Sequence, residues 1–159
     1  MSRYEHIFAK SDGTPLLQHL QDVAKAAKVM AHHWGLSTDL ARKGAHLHDI
    51  GKASPIFQSR LKAEDNLGGD VFRHEIASIF FISLLPDEVD RRAIIEMIAA
   101  HHKSICNDSR ELGLLDLDEN EGQCFERHSR EFEQWSQEAL GILHELGWET
   151  HPITITKRR

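Results

Sequence analysis

The chain has little cysteine, with only Cys106 and Cys124 among its 159 residues, and the two do not form a CxxC pair. Neither a disulfide framework nor a thiolate zinc site is therefore indicated, and we expect a reducing, cytoplasmic setting. No segment approaches the roughly 18 consecutive apolar residues that cross a bilayer. The N-terminus also lacks the apolar core of a signal peptide, so we expect no membrane partner.

Positive charge is also in short supply. Lys and Arg together number 19 against 25 Asp and Glu, which gives a formal net charge of -6. This balance argues against a protein that binds nucleic acid through a broad basic surface. It does not exclude a nuclease, because bound divalent ions can supply positive charge at the scissile phosphate.

Strand-type alternation is nearly absent, whereas helical periodicity fills most of the chain. Only residues 153–156 alternate apolar and polar side chains, which is a weak strand pattern. Elsewhere apolar residues recur at three- and four-residue spacing, which is typical of one helix face. The sequence predicts an all-α bundle of helices in a single domain over residues 1–159. Trp34 and Trp135 lie at helical spacing and are predicted to pack in its core.

Capping signals indicate where the helices begin and end. We expect Thr14 to cap the first helix, with Pro15 at its first position, Ser37 to cap the second and Asp87 to cap the fifth. Glycine and proline supply the stops. The first helix should stop at Gly35 and the second at Gly51; a short third helix should follow Ser54-Pro55; the fourth should run from near His74 to Pro86, the fifth into His101-His102, and a long last helix from about Phe125 to Gly147.

Six side chains suited to metal binding recur near these helix ends: His19, the adjacent pair His48-Asp49, His74, and the adjacent pair His101-His102. Imidazole and carboxylate are ligands for Zn, Fe, Mn, Co and Ni. Adjacent helical residues point about 100° apart. A histidine can therefore serve one ion while the carboxylate beside it bridges toward a second. Each histidine alone is typical of a half-buried packing residue, whereas the joint pattern favours a metal site.

The order and the flanking residues resemble a known family. His … His-Asp … His … His-His is similar to the HD superfamily of metal-dependent phosphohydrolases. The segments HLHDIGKASPIFQSRL (46–61), RHEIAS (73–78) and AHHKS (100–104) resemble the HD nuclease domain of the CRISPR-associated nuclease-helicase of type I interference. HDxGKxxxxFQ is narrower than HD alone, because Phe57 and Gln58 are unusual in nucleotide-directed HD enzymes. The resemblance covers roughly residues 19–104, and it implies an HD-domain helical bundle with the metal site at converging helix ends.

The resemblance implies a metal-dependent nuclease that hydrolyses phosphodiester bonds of single-stranded DNA in CRISPR interference, an antiviral defence. The implied partners are that DNA, a helicase domain or subunit, and the CRISPR surveillance complex. One or two divalent ions are expected, with Mn, Fe, Co or Ni favoured and Mg or Zn also suitable. By motif, the first ion would be held by His19, His48 and Asp49, and the second by Asp49 as a bridge with His74, His101 and His102, while Lys52 would approach the phosphate oxygens.

One ligand of the family pattern is missing. The family supplies a further aspartate to the first ion from a later helix, and no aspartate follows Trp135. Asp108, Asp116 and Asp118 lie in an acidic stretch that is typical of solvated charge, so substitution of the missing ligand by one of them is the less favoured alternative. We therefore expect a domain that lacks its last helix or helices, with a complete second metal site and a weakened first one. No GxxxxGK[ST] phosphate loop occurs, so no helicase domain is expected in this chain.

Two other functions remain open at this point. An HD phosphohydrolase that acts on a nucleotide or a small phosphate ester would use the same metal chemistry, and only its substrate would distinguish it. A non-catalytic HD scaffold that binds metal or a partner is compatible with the missing aspartate. The His48-Asp49 and Lys52 set argues against the scaffold, because packing alone does not require these residues.

Overall fold

A computed structural model describes residues 2–62, 72–101 and 121–156, with only the backbone described at 121–124. The fold is all-α, as predicted. The helices are α1 (Leu16–His33), α2 (Thr38–Leu47), a 3-10 turn (Ile50–Ala53), α3 (Pro55–Leu61), α4 (His74–Ile79), a second 3-10 turn (Phe80–Leu84), α5 (Arg91–Ala100), α6 (Glu121–Ser129) and α7 (Phe132–Glu145). None of these described helices has the length and apolar character needed to cross a membrane.

Several predicted helix boundaries are confirmed. The Ser37 hydroxyl accepts a hydrogen bond from the Leu40 amide at 3.2 Å and caps α2. Gly35 and Gly147 follow α1 and α7 with φ of 68° and 83°, a left-handed conformation that glycine adopts without steric cost. Pro55 is the first residue of α3, where its missing amide hydrogen has no helical partner to lose.

Two predicted caps are wrong, because nearby groups take up the side chains concerned. Thr14 does not cap α1, since its hydroxyl donates to Asp12 Oδ1 at 2.6 Å. Asp87 does not cap α5; it pairs with Arg91 at 2.8 Å. The cap of α5 is Asp90, whose Oδ1 accepts from the Ala93 amide at 3.0 Å.

The lengths of three predicted helices also differ. The second helix ends at Leu47, and His48-Asp49 link it to the 3-10 turn at Ile50–Ala53. The fourth tightens into a 3-10 turn after Ile79, before Pro86 is reached. The long last helix is broken between Ser129 and Phe132, where Glu131 is left-handed with φ of 55°. Residues 153–156 form no strand, so that prediction is wrong too.

Buried side chains anchor the last two helices on each side of the break. His128 on α6 is buried, and its Nε2 accepts a hydrogen bond from the Arg73 amide at 2.8 Å. Phe132 on α7 packs against Phe81 and Trp135, with ring centroids 5.7 Å and 5.0 Å apart. The segments before and after Glu131 are thus each held by tertiary contacts of their own, which helical periodicity in the sequence does not reveal.

The core lies between α1, α5 and α7 and extends to the turn after α2. Its fully buried apolar side chains include Leu16 and Leu20, Ile50, Ile94 and Ile98, Phe81, and Ile142 and Leu143. Trp135 is buried, as predicted, but the prediction for Trp34 is wrong because this side chain is 65% exposed beyond the end of α1. Ile50 directly follows His48-Asp49, and the Ile98 carbonyl contacts the His101 ring. Both isoleucines are core residues, so the candidate site lies at the edge of the core.

Candidate metal centre

The candidate site is centred on the Asp49 carboxylate, which is almost completely buried at the junction of α2 and the following 3-10 turn. Four imidazoles and one ammonium group surround it. They are His19 from α1, His48 from the end of α2, Lys52 from the turn, His74 from the start of α4 and His101 from the end of α5. The four histidine side chains are each 12–16% exposed, so the centre opens to solvent at the edges of the rings.

The two oxygens of Asp49 face different pairs of histidines. Oδ2 lies 2.8 Å from Nε2 of His19 and 3.2 Å from Nε2 of His48. Oδ1 lies 2.9 Å from Nε2 of His74 and 3.1 Å from Nε2 of His101. We call these sets the Oδ2 half (His19, His48) and the Oδ1 half (His74, His101). One carboxylate thus joins two separate sets of nitrogen donors.

Each half can hold an ion. In His19, His48 and Asp49, and again in Asp49, His74 and His101, one ligand atom per residue lies within 4.8 Å of the others. Three donors of imidazole and carboxylate type match the ligands of a catalytic site that keeps further positions open for water or substrate. The donor set therefore fits one divalent ion in each half, with Asp49 common to both.

Backbone carbonyls orient two of the imidazoles. His48 Nδ1 lies 2.7 Å from the Ala45 carbonyl oxygen, and His101 Nδ1 lies 2.6 Å from that of Ile98. A carbonyl can only accept, so each Nδ1 donates, and a neutral ring in this tautomer would offer the lone pair of Nε2 to a bound ion. Such second contacts fix the tautomer and the ring plane of metal-binding histidines.

The surrounding donors hold Asp49 ionised. Burial alone would raise the pKa of its carboxyl group, but hydrogen bonds from His101, His19, His48 and His74 outweigh burial and lower the pKa far below its usual range. For His101, burial acts to lower the pKa of the imidazole, whereas the bond to Asp49 outweighs it and raises the pKa. The centre is thus a fixed negative charge that stabilises positive charge around it.

Lys52 is part of this charge arrangement. Its Nζ lies 2.8 Å from Asp49 Oδ2, donates to the Ala9 carbonyl at 3.3 Å and sits 5.5 Å from the centroid of the Phe57 ring. The side chain is buried, so the structure places the ammonium group beside the carboxylate, on the Oδ2 side. Its approach to phosphate oxygens stays a prediction.

Close backbone packing joins the Asp49 turn to α4. A Cβ built on Gly51 would lie 2.2 Å from the His74 carbonyl oxygen and 2.8 Å from the Ser78 amide nitrogen, so only glycine fits. The Ser78 hydroxyl accepts from the Gly51 amide at 2.8 Å and donates to the His48 carbonyl at 3.2 Å. Ser78 therefore ties the residues on both sides of Asp49 to the helix that carries His74.

The Phe57-Gln58 pair positions two further parts of the centre. The Phe57 ring meets the His74 ring edge to face, with centroids 5.2 Å apart. The Gln58 amide oxygen accepts from the Phe8 amide at 3.0 Å, and its nitrogen donates to the carbonyls of Phe8 and Lys52 at 2.8 and 2.7 Å. Gln58 thus clamps the N-terminal segment onto the turn that carries Lys52.

The structure brings together six of the seven residues that the sequence singled out for the site. The seventh, His102, lies outside the described residues, as do Asp108, Asp116 and Asp118. Sequence reasoning assigned no role to Ser78, Gln58 or Glu75, although all three lie inside the quoted motifs. Glu75 is buried, and its Oε2 lies 3.5 Å from His74 Nδ1. The motif text was the available signal, and only the fold shows which partner each residue contacts.

Comparisons with known proteins agree with the geometry. The chain matches the family described as "Cas3, HD domain" over residues 8–157. It is also 33% identical over 95 residues to ribonuclease Y of Thermotoga petrophila, a match that covers 60% of this chain and 16% of that protein. Ribonuclease Y of Pseudothermotoga lettingae is 48% identical over 46 residues, covering 29% and 9%. The chain spans less than a fifth of the length of these relatives. No solved structure matches it.

The family match covers nearly the whole chain, including every helix that contributes to the centre. It confirms the resemblance inferred from the HD motif and the text around it. The enzyme class is that of a metal-dependent HD hydrolase, as predicted. The chain belongs to the family of the Cas3 HD domain.

Proposed function

We propose that this domain cleaves phosphodiester bonds of single-stranded DNA with the help of divalent ions, as the nuclease of CRISPR interference. The observation that carries the proposal is the arrangement around Asp49, whose two oxygens face two separate pairs of imidazole nitrogens. A carboxylate shared in this way is suited to a pair of ions, and paired ions are typical of enzymes that act on phosphate esters.

The residues of the chain would divide the work as follows. His19 and His48 would hold one ion and His74, His101 and His102 the other, with Asp49 common to both. Ions bound there would neutralise charge on the attacking and leaving oxygens and lower the pKa of a bound water. The carbonyls of Ala45 and Ile98 keep two of the rings in the binding tautomer.

Charge supports an ion-dependent activity. The chain has a formal net charge of -6, so a polyanionic substrate gains little from the protein surface taken as a whole. The positive charge at the scissile phosphate must then be local, and the ions together with Lys52 would supply it. We propose Mn, Fe, Co or Ni as the ion, with Mg and Zn as further candidates, because imidazole and carboxylate suit them all.

The family also suggests where the domain works. We propose a helicase domain or subunit and the CRISPR surveillance complex as partners, with the reaction taking place in the cytoplasm. The support is the match to the Cas3 HD domain, together with the absence of a membrane-crossing helix among the described residues.

A second candidate substrate is single-stranded RNA. The observation that favours it is the similarity to proteins named ribonuclease Y, which covers up to 60% of this chain. A nucleotide or another small phosphate ester is the third candidate, since the metal chemistry would be the same. The substrate alone separates the three.

A cleavage assay on circular nucleic acids and small phosphate esters would test the proposal. The metal-stripped protein would be mixed with circular single-stranded DNA, circular single-stranded RNA, a deoxynucleoside triphosphate or p-nitrophenyl phosphate, with Mn, Fe, Co, Ni, Mg or Zn added separately. We expect cleavage of the circular DNA with at least one ion and no release of phosphate from the two small esters. Asp87→Ala, which removes an exposed carboxylate far from the centre, is the control for Asp49→Ala.

The outcomes are distinct. Cleavage of RNA in preference to DNA would favour the second candidate, and turnover of the small esters alone would favour the third. Equal cleavage with and without added ions, after treatment with a chelator, would contradict a metal-dependent reaction altogether.

A further inference from the structure

An apolar pocket opens directly beside the metal centre. It lies between α1, α2 and α5 and has a volume of about 370 Å³. Its walls include Val23 and Ala27 from α1, Ala41 from α2 and Met97 from α5, and His48 and His101 of the centre also line it. Ligand pockets in proteins start at roughly 300 Å³, so the space suffices for a flat group of the size of a nucleobase.

The pocket and the centre are continuous. On α1, Val23 and Ala27 follow His19 at intervals of four residues and therefore lie on the same helix face as this candidate ligand. On α2, Ala41 precedes His48 by seven residues, or about two turns. On α5, Met97 precedes His101 by four. Each helix thus carries a strip of small or apolar residues that leads to a histidine of the centre.

Hydrogen-bonding groups are nearly absent from this lining. Apart from His48 and His101, the described residues of the wall are Val, Ala, Gly and Met. Both imidazoles already use their nitrogens, with Nδ1 on a backbone carbonyl and Nε2 toward Asp49. The wall cannot read the hydrogen-bonding edge of a base, but it can bury the apolar face of one. The Met97 thioether adds a polarisable contact of the kind that packs well against aromatic rings.

From this placement we propose that the pocket holds one nucleobase of the substrate, next to the phosphate that is cleaved. This inference rests on the proposed phosphodiesterase function and deepens it. A phosphate at the centre would leave an adjoining nucleotide against the His48 and His101 rings, which line the pocket with centroids 4.9 Å apart. Binding through the base face gives affinity without sequence preference, as aromatic platforms do for single strands.

A pair of neighbouring alanines offers a matched test. Ala27 lines the pocket, whereas Ala26 is exposed and points away from it. Ala27→Leu would fill part of the pocket, and Ala26→Leu would add the same side chain to the outer face of the same helix. Both residues have high helix propensity, so the backbone should tolerate both changes. Circular dichroism and thermal melting would establish that both variants are folded.

Two oligomers would serve as probes: single-stranded oligo-dT, and an oligomer of the same length in which every base is absent. We expect the wild-type kcat/KM for oligo-dT to be about tenfold higher than its kcat/KM for the abasic oligomer. This factor is within the range that one base contact contributes. Ala27→Leu should lose most of this preference by losing activity on oligo-dT alone. Ala26→Leu should behave as the wild type does.

Several results would overturn the inference. Equal cleavage of both oligomers by the wild type would show that no base is bound, while leaving the nuclease function intact. An Ala27→Leu variant that melts at a higher temperature and keeps the wild-type preference would show a packing gap instead of a binding site. Failure of the wild type to cleave either oligomer with any ion would overturn the proposed function together with the inference.

Discussion

The two halves of the centre share one carboxylate but differ in charge. The Oδ1 half contains only imidazoles beside Asp49, and its two Nε2 atoms are 3.4 Å apart. The Oδ2 half also contains the Lys52 ammonium, at 2.8 Å from the same oxygen that would bind the ion. An ion in the Oδ2 half must therefore compete with the buried Lys52 ammonium, which does not contact Oδ1 in any of the ion pairs found around Asp49. Because of this difference in charge, two halves with similar donors need not bind metal with equal affinity.

This contrast agrees with the gap found in the sequence. The resemblance implies a further aspartate for the first ion, which would be the ion of the Oδ2 half, and the sequence offers no aspartate after Trp135. We therefore expect the Oδ1 half to hold its ion tightly and the Oδ2 half to hold one weakly.

Loss of the shared carboxylate should abolish both halves at once. Asp49→Ala removes the carboxylate that contacts both histidine pairs, so nuclease activity should fall by about a thousandfold or more, which corresponds to several kcal/mol of lost stabilisation. The measurement is cleavage of circular single-stranded DNA beside metal content after dialysis. The variant should keep its helical circular dichroism, and retention of metal-dependent cleavage would refute the assignment of Asp49 as the bridge.

Replacement of one histidine in each half should show which half binds the tight ion and which binds the weak one. His74→Ala should lower the affinity of the tight ion by roughly 100-fold or more, because losing a ligand should cost at least as much as losing a residue that only orients one. His19→Ala should leave that ion in place and affect only the weak one. Titration calorimetry with metal-stripped protein would measure both. If the wild type retains two ions per chain after dialysis, the two halves bind equally and the contrast is wrong.

Removal of the competing ammonium group should make the metal affinities of the two halves more similar. In Lys52→Met, the Oδ2 half loses a positive charge beside its oxygen, so its affinity for the ion should rise about tenfold, or about 1.4 kcal/mol. Cleavage should nevertheless slow if Lys52 approaches the phosphate. Lys28→Met, on the exposed face of α1, is the matched control. Unchanged affinity in Lys52→Met would mean that the ammonium group does not limit binding there.

A histidine next to the centre, but outside both halves, gives the smallest effect. His46 is buried, its Nδ1 accepts from the Trp148 indole at 2.9 Å, and burial lowers its pKa to about 4. In the unfolded chain the His46 imidazole is protonated as the pH falls below about 6.5, whereas in the folded protein it is protonated only near pH 4. Its contribution to stability is therefore complete above pH 6.5 and is lost as the pH falls toward 4.

Between pH 7.5 and 5.5 this loss should amount to about 1 kcal/mol of unfolding free energy. Urea unfolding of the metal-free protein would measure it. His46→Asn keeps an acceptor near the indole and should flatten this part of the pH dependence, whereas His144→Asn, at an exposed position, should not. An equal slope in all three proteins would assign the pH dependence to other groups.

The sequence was sufficient to predict the all-α class and the set of side chains around Asp49, because both depend on patterns of residue types. It was insufficient where two equivalent local choices compete. Asp87 and Asp90 both suit a helix cap, and only the pairing of Asp87 with Arg91 decides between them. Trp34 shares the periodicity of buried residues, yet it follows the last turn of α1, where no described element covers it.

Contacts between residues far apart along the chain likewise could not be predicted from the sequence. Ser78 meets Gly51 across 27 residues, and Gln58 meets Phe8 across 50. Spacing along a chain says nothing about partners at such separations. The narrow motif around Phe57 and Gln58 indicated that these residues have a role, but the fold was needed to show that the role is positional.

The Gln58 clamp has a consequence for the smallest unit that can reproduce the centre. The first metal-type histidine is His19, and a boundary drawn at the start of α1 would keep every candidate ligand. It would also remove Phe8 and Ala9, so that Gln58 and Lys52 would lose backbone partners at once. The irregular segment before α1 is therefore a component of the centre, and a minimal version of the domain has to begin upstream of it.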